Sequence, residues 1–97
     1  MITLRMHRSG KDLVMAAADK DLLDQKFEEG CLRLEVRKDF YGGEDASEEK
    51  LLNRLSMCTI ANLVGEETVG VAIKHSYING DCVLTIAGVP HAQLAKM

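Results

Sequence analysis

Ile2-Thr-Leu-Arg-Met-His-Arg-Ser-Gly-Lys-Asp-Leu-Val-Met-Ala-Ala-Ala18 is the stretch of sequence that decides the fold. Apolar and polar side chains alternate over residues 2–8, which is the period of a strand with one buried face. Residues 9–12 have the composition of a short hairpin turn. Residues 13–18 are apolar on both faces; their alanines also suit a helix, but the preceding turn favours an interior strand. A short turn joins antiparallel strands, so we do not expect a purely parallel sheet.

Residues 19–43 predict one helix and one strand. Asp19 is placed to cap a short helix, and Gly30 is placed to end it in a left-handed conformation. Residues 32–37 alternate apolar and charged side chains, which is the clearest strand pattern in the chain. Phe40-Tyr41-Gly42-Gly43 ends that strand with two residues that tolerate a positive φ.

Residues 45–76 predict two helices. Asp45 and Ser47 are alternative caps for the first helix. No helix breaker follows until Gly65, and residues 66–76 have the pattern of the second helix. The apolar stripe of the first helix consists of Leu51, Leu55 and Cys58.

The last part of the chain completes the predicted fold. Asn79-Gly80 marks a turn, residues 83–86 form a strand, and residues 93–96 are a candidate for a short final strand. The element order is therefore β-β-α-β-α-α-β, with or without a last β. We expect one α+β domain over residues 1–97, with a mixed or antiparallel sheet of four to five strands covered on one face by three helices.

Composition narrows the class of protein. The formal net charge of −3 argues against general attraction to nucleic acid or to anionic membranes. No apolar run approaches the ~20 residues that span a bilayer, and residues 1–10 lack the apolar core of a signal peptide. Three cysteines without a close pair fit a reducing compartment, and no phosphate-binding loop or paired metal-ligand motif occurs. We therefore expect a cytoplasmic protein with no membrane association, no metal site and no cofactor.

The segment around His91 is a candidate site because it places short polar side chains after the only proline of the chain, on a predicted stiff turn. A histidine with a pKa near 6.5 binds, donates or accepts protons at neutral pH. As a general base, His91 would need a nucleophile, for which Cys58 and Thr59 are the candidates, and Glu66 is a further potential partner. The alternative is a surface or capping histidine.

A basic surface is the second candidate site. Arg5 and His7 share the polar face of the first predicted strand, and Arg33 and Arg37 share that of the third. If these two strands pair, their side chains converge into a surface that suits an RNA backbone or an acidic partner. The alternative is an ordinary solvated sheet face.

A polar pocket is the third candidate. Asn62 lies between apolar residues, and a buried amide needs hydrogen-bond partners. Asn62 is therefore either a local cap or, with His91 and Gln93, part of a polar binding site.

Three motifs carry a resemblance to a known family. They are Phe40-Tyr41-Gly42-Gly43, Ile60-Ala61-Asn62-Leu63-Val64-Gly65-Glu66 and Gly88-Val89-Pro90-His91-Ala92-Gln93. In this order and spacing they resemble the archaeal family called domain of unknown function 424. Many of its members carry a second glycine before the last motif, where this chain has Ala87. The resemblance implies an archaeal cytoplasmic protein and points towards translation, but it supplies no established reaction, ligand or catalytic residue.

Three functional hypotheses follow. The first is a non-enzymatic module that binds RNA, a ribosomal particle or a translation-linked protein. The second is a small hydrolase or transferase that uses His91 with Cys58 or Thr59. The third is a homo-oligomeric structural protein, such as a homodimer, whose exposed final strand pairs across a two-fold axis.

Overall fold

The structure is a computed structural model that describes residues 1–96. The strands in this range are β1 (Ile2–Ser9), β2 (Asp12–Asp19), β3 (Lys26–Glu29), β4 (Leu32–Glu35), β5 (Glu44–Ala46), β6 (Ile60–Val64), β7 (Leu84–Ile86) and β8 (Val89–Ala95). The α-helices are α1 (Lys38–Tyr41), α2 (Glu48–Met57) and α3 (Glu66–Lys74). Six strands form one sheet in the order β5-β1-β2-β6-β8-β7, and β3 and β4 form a separate two-stranded sheet. None of the helices in residues 1–96 is long and apolar enough to cross a bilayer.

The predicted first hairpin is confirmed. Strands β1 and β2 pair antiparallel from Ile2 opposite Asp19 to Ser9 opposite Asp12, which leaves only two residues in the loop. Gly10 in that loop has a φ of 60°, a conformation that glycine adopts without a steric cost. Strand β2 also pairs in parallel with β6, so it lies inside the sheet as its apolar residues require. The α+β class and the mixed sheet are thereby confirmed.

The two faces of the large sheet are covered by different elements. Helices α2 and α3 pack on one face, called here the helix face, and α1 with the β3–β4 hairpin packs on the other, called here the hairpin face. Strand β2 contributes to both cores, because Met15 and Ala17 point to the helix face and Ala16 and Ala18 to the hairpin face. The prediction that three helices cover one face is therefore wrong: α1 lies on the other face.

The predicted helix after Asp19 is also wrong. Only a 3₁₀ turn, Lys20–Leu22, follows Asp19, and residues 26–29 form β3. The Asp19 carboxylate instead caps α3, where it accepts hydrogen bonds from the backbone N–H groups of Glu67 and Thr68 at 3.1 and 2.8 Å. Gly30, with a φ of 60°, lies in the turn between β3 and β4 rather than at a helix end.

The predicted first long helix ends earlier than the sequence suggests. Ser47 caps α2 by accepting a hydrogen bond from the Lys50 N–H at 3.1 Å, whereas Asp45 lies in β5. After α2, residues 60–64 form the interior strand β6, paired on both sides. The side chains on both faces of β6 are buried or half-buried. This pattern is typical of a strand that lies between two neighbouring strands in a sheet covered on both faces.

The last hairpin differs from the prediction in the bounds of its second strand. Residues 89–95 form β8, which begins before the predicted final strand and lies between β6 and β7. Pro90 and His91 therefore lie in a strand, and the turn consists of Ala87 and Gly88, whose φ values are 50° and 82°. The predicted four to five strands miss β3, β5 and β6, each shorter than six residues.

Candidate binding groove

Arg5 and His7 attach the segment after β4 to the first strand. The Arg5 Nε donates a hydrogen bond to the Gly42 carbonyl at 2.7 Å. The His7 Nε2 lies 2.8 Å from the Phe40 carbonyl, and since a carbonyl only accepts, this nitrogen carries the proton. The imidazole also stacks on the Phe40 ring, with the centroids 4.7 Å apart and the planes inclined by 14°. Both predicted binding residues thus have structural contacts on the hairpin face.

Gly43 allows this segment to approach the sheet closely. Its N–H donates to the Thr3 hydroxyl at 3.3 Å. A Cβ atom at this position would lie 2.5 Å from the Leu4 carbonyl oxygen, closer than real Cβ atoms approach. The Phe-Tyr-Gly-Gly motif therefore forms α1 and its contact with β1, and is not simply the turn that ends a strand.

The predicted surface of four basic residues is not formed. Strand β4 pairs with β3 and not with β1, because the apolar side of the small sheet packs on the hairpin face. Arg33 lies on that small sheet, where its Nε is 3.2 Å from a Glu28 carboxylate oxygen. Arg37 follows β4, and it lines a surface cavity that Arg5 also lines. The structure thus brings together two of the four predicted residues.

That cavity is a solvent-exposed groove of about 700 Å³ between β1, β5, the 3₁₀ turn and the segment around α1. We call it the charged groove. Its lining residues are Thr3, Arg5, Lys20, Leu23, Asp24, Glu35, Arg37, Lys38, Asp39, Gly42, Gly43 and Asp45. Two ion pairs lie within it: Lys20 with Asp45 at 2.9 Å and Arg37 with Asp39 at 3.1 Å.

Three charged groups of the groove remain available for a ligand. The bond from the Arg5 Nε leaves the Nη donors of the guanidinium without a partner in residues 1–96. Within the same residues, the side chains of Glu35 and Lys38 form no ion pair. The charged residues of the groove other than Arg5 and Arg37 were not predicted as a site. They come from separate segments, and only the charge-rich stretch at residues 35–39 gave a signal in the sequence.

Asn62, His91 and Gln93 lie on neighbouring strands of the hairpin face, and we call them the polar patch. Asn62 is directly opposite Gln93, and Val64 is opposite His91. The period of two places all three on one face, since Ala61 and Ala92 point to the helix-face core. Burial lowers the pKa of the half-buried His91 below its usual value of 6.5. The patch therefore presents amide groups and a neutral imidazole at neutral pH.

The proposed catalytic pairing of His91 with Cys58 or Thr59 does not occur. Thr59 lies five residues before Val64, the partner of His91, which is roughly 16 Å along a strand at about 3.3 Å per residue. Cys58 is 2% exposed, and burial raises the pKa of its thiol. The Thr59 hydroxyl accepts a hydrogen bond from the Leu13 N–H at 2.9 Å. His91 cannot deprotonate either residue at these positions.

Glu66 does not line the charged groove. It begins α3, is exposed, and lines a small cavity of about 180 Å³ together with Asp19 and Pro90. The adjacent Gly65 has a φ of 105°, and a Cβ there would collide with the Asp19 carboxylate. The glycine of the second motif thus allows Asp19 to cap α3. In residues 1–96, no three His, Cys, Asp or Glu side chains gather in a way that could hold a metal ion.

Comparison with known protein families identifies the family of this chain. The family described as "Protein of unknown function (DUF424)" matches residues 7–97. The chain belongs to this family. Its fold is shared with a solved structure, an uncharacterized conserved protein from Methanopyrus kandleri, with a TM-score of 0.82 and 21% sequence identity. The alignment covers 99% of this chain and 93% of the other, and at this identity it shows the fold alone. No curated protein matches the chain.

Proposed function

We propose that this DUF424 protein is a non-enzymatic module that binds a partner protein through the charged groove. The observation that carries the proposal is the character of that groove. The groove has a volume of about 700 Å³, and its lining contains charged groups of both signs but no histidine or cysteine. The separation of His91 from Cys58 and Thr59 also removes support from the enzyme hypothesis.

A protein partner fits the distribution of charge better than RNA does. Five of the twelve Lys and Arg side chains, including Lys20 and Arg37 of the groove, form an ion pair with a carboxylate, which would repel a phosphate. These pairs are Lys20–Asp45, Arg33–Glu28, Arg37–Asp39, Lys50–Glu44 and Lys74–Glu48. The aromatic rings are also poorly placed for base stacking, because Tyr41 is buried, Phe40 stacks on His7, and Tyr77 and Phe27 pack against the helix-face and hairpin-face cores.

RNA is the second candidate partner, and one observation favours it. Lys11 lies in the exposed loop between β1 and β2 and Arg8 lies near the end of β1, and neither forms an ion pair in the described part of the chain. Cations on a protruding hairpin contact phosphates in a manner that depends strongly on salt. The setting that we propose, the archaeal cytoplasm and translation or ribosome assembly, rests on the family resemblance.

The test is a pull-down with the tagged full chain from a lysate of its native organism, at low salt, with and without RNase. The proposal predicts a defined set of proteins that is retained after RNase treatment. If RNase removes all bound material, the partner is RNA and not a protein. If nothing is captured specifically, the binding proposal is refuted. Light scattering of the same preparation tests the homodimer hypothesis, which a monomer would remove.

A matched pair of variants connects the result to the groove. Glu35→Gln with Lys38→Gln removes two opposite charges of the groove and leaves the net charge unchanged. Glu28→Gln with Arg33→Gln makes the same chemical change on the small sheet, outside the groove. The proposal predicts that only the first double variant loses its protein partners.

A further inference from the structure

We propose that the charged groove recognises an extended segment of the partner in which an acidic side chain lies close to a basic one. The acidic side chain binds the Arg5 guanidinium, and the basic side chain binds the Glu35 carboxylate. This inference rests on the proposed function and specifies the chemistry of the partner.

Arg5 is held ready for a carboxylate. Its Nε is fixed on the Gly42 carbonyl at 2.7 Å, so the plane of the guanidinium is set before a ligand arrives. The Nη donors remain for a carboxylate, which guanidinium groups bind through two parallel hydrogen bonds. A side chain already ordered in the free protein loses less entropy on binding, which favours affinity.

Glu35 makes the groove selective against polyanions. It lies at the end of β4, lines the same groove, and forms no ion pair in residues 1–96. Asp24 is a second carboxylate of the lining that forms no ion pair in residues 1–96. An RNA backbone or a wholly acidic peptide would place negative charges against both carboxylates. A segment of mixed charge can instead place its basic side chain against the carboxylates and its acidic side chain against Arg5.

The exposure of the groove favours a peptide segment over a small molecule. Of its lining residues only Thr3 and Gly42 are buried, and Leu23 is half-buried. Small-molecule sites usually bury most of the ligand surface within largely apolar walls. An open groove with charged walls suits a segment that is anchored by its continuation in a larger partner.

The test measures binding of labelled synthetic peptides to the full chain by fluorescence anisotropy at low salt. Three peptides of equal length carry mixed Glu and Lys, Glu only, or Lys only, and a poly(U) oligonucleotide is the fourth probe. We expect the mixed peptide to bind roughly tenfold more tightly than the other three, since like charges in an interface are costly. Equal binding of all peptides, or preference for the Glu-only peptide or the oligonucleotide, would overturn the inference.

Variants locate the binding. Glu35→Gln with Lys38→Gln should abolish the preference for the mixed peptide, and Glu28→Gln with Arg33→Gln should retain it. Arg5→Lys keeps the positive charge but removes the paired Nη donors, so it should weaken binding of the mixed peptide. Circular dichroism should show that the fold is unchanged. Retained preference in both groove variants would place the site elsewhere.

The outcomes separate this inference from the proposed function. If Glu35→Gln with Lys38→Gln loses the captured protein partner but the wild-type chain binds all peptides equally well, this inference fails and the proposed function stands. If the wild-type chain captures no partner, the proposed function itself fails.

Discussion

The helix face and the hairpin face of the large sheet are built by different interactions. The helix-face core contains large side chains that are fully buried, among them Leu4, Leu51 and Leu55. On the hairpin face, β2 offers only Ala16 and Ala18, which gives a shallow apolar surface. There the segment around α1 is attached by the packing of Phe40 and Tyr41 on the hairpin-face core and by hydrogen bonds from β1 to backbone carbonyls. The helix face thus stabilises the fold, and the hairpin face holds charged and polar groups in place at its surface.

The largest expected effect comes from removing a side chain of the helix face. Leu55→Ala leaves a cavity at a position with 0% exposure and should lower the free energy of unfolding by about 2–5 kcal/mol. Leu34→Ala is the matched change on the hairpin face and should cost less, because β4 lies in the outer two-stranded sheet. Urea denaturation of both variants measures the difference. Equal losses would refute the contrast between the two faces.

The next effect concerns the cap that connects β2 to the helix face. Asp19→Ala removes the acceptor for two N–H groups and the hydroxyl at the start of α3, which should cost about 1–2 kcal/mol. Amide exchange should accelerate at Glu67 and Thr68. Asp21→Ala, at an exposed position in the 3₁₀ turn, is the control and should change neither measurement. Faster exchange confined to residues 20–22 would contradict this assignment.

A smaller effect is expected on the hairpin face. His7→Ala removes one hydrogen bond and the stacking on Phe40, and should lower the free energy of unfolding by about 1 kcal/mol. The loss should be local, with faster amide exchange in residues 40–43 and little change in α2. Arg8→Ala alters the exposed neighbouring position and serves as the control. Uniformly faster exchange throughout the chain would show that the segment is not a separate unit.

The smallest effect is a dependence of stability on pH at the polar patch. The pKa of His91 is lowered by burial, so below pH 6.5 the unfolded chain binds a proton that the folded chain does not. Its contribution is therefore fully present above pH 6.5 and is lost as the pH falls towards the folded pKa. His91→Gln should reduce the fall in urea midpoint between neutral and mildly acidic pH. An unchanged pH profile for His91→Gln would indicate that His91 is not buried in solution.

Local patterns in the sequence correctly predicted the elements that are stabilised by residues close to them along the chain. The β1–β2 hairpin follows from its alternation and short turn, and α2 from Ser47 and the stripe that includes Leu55. The same reasoning failed where the partner lies far along the chain. Asp19 has a cap pattern, but it caps a helix that begins 47 residues later, at Glu66. The strand β6 lacks a local strand signal and becomes a strand because β2 and β8 pair with it.

The candidate site shows the same limit. Arg5 and Arg37 could be identified as charged residues on a polar strand face, but the sequence predicted that paired strands would join them. In the structure they meet because α1 folds back onto β1, through a contact at Gly43 that a larger residue would prevent. Lys20 and Asp45 join the groove from two further segments. Such convergence depends on the topology, which local periodicity does not specify.

The position of β8 has a consequence for how the protein is made. This strand comes last among the described elements, yet it lies between β6 and β7. On a translating ribosome, β6 can pair with β2 while its other edge stays open until residues 89–95 have emerged. An unpaired strand edge is a template for association with other chains. The nascent chain is therefore exposed to association at the β6 edge from the emergence of residues 60–64 until β8 inserts and closes that edge.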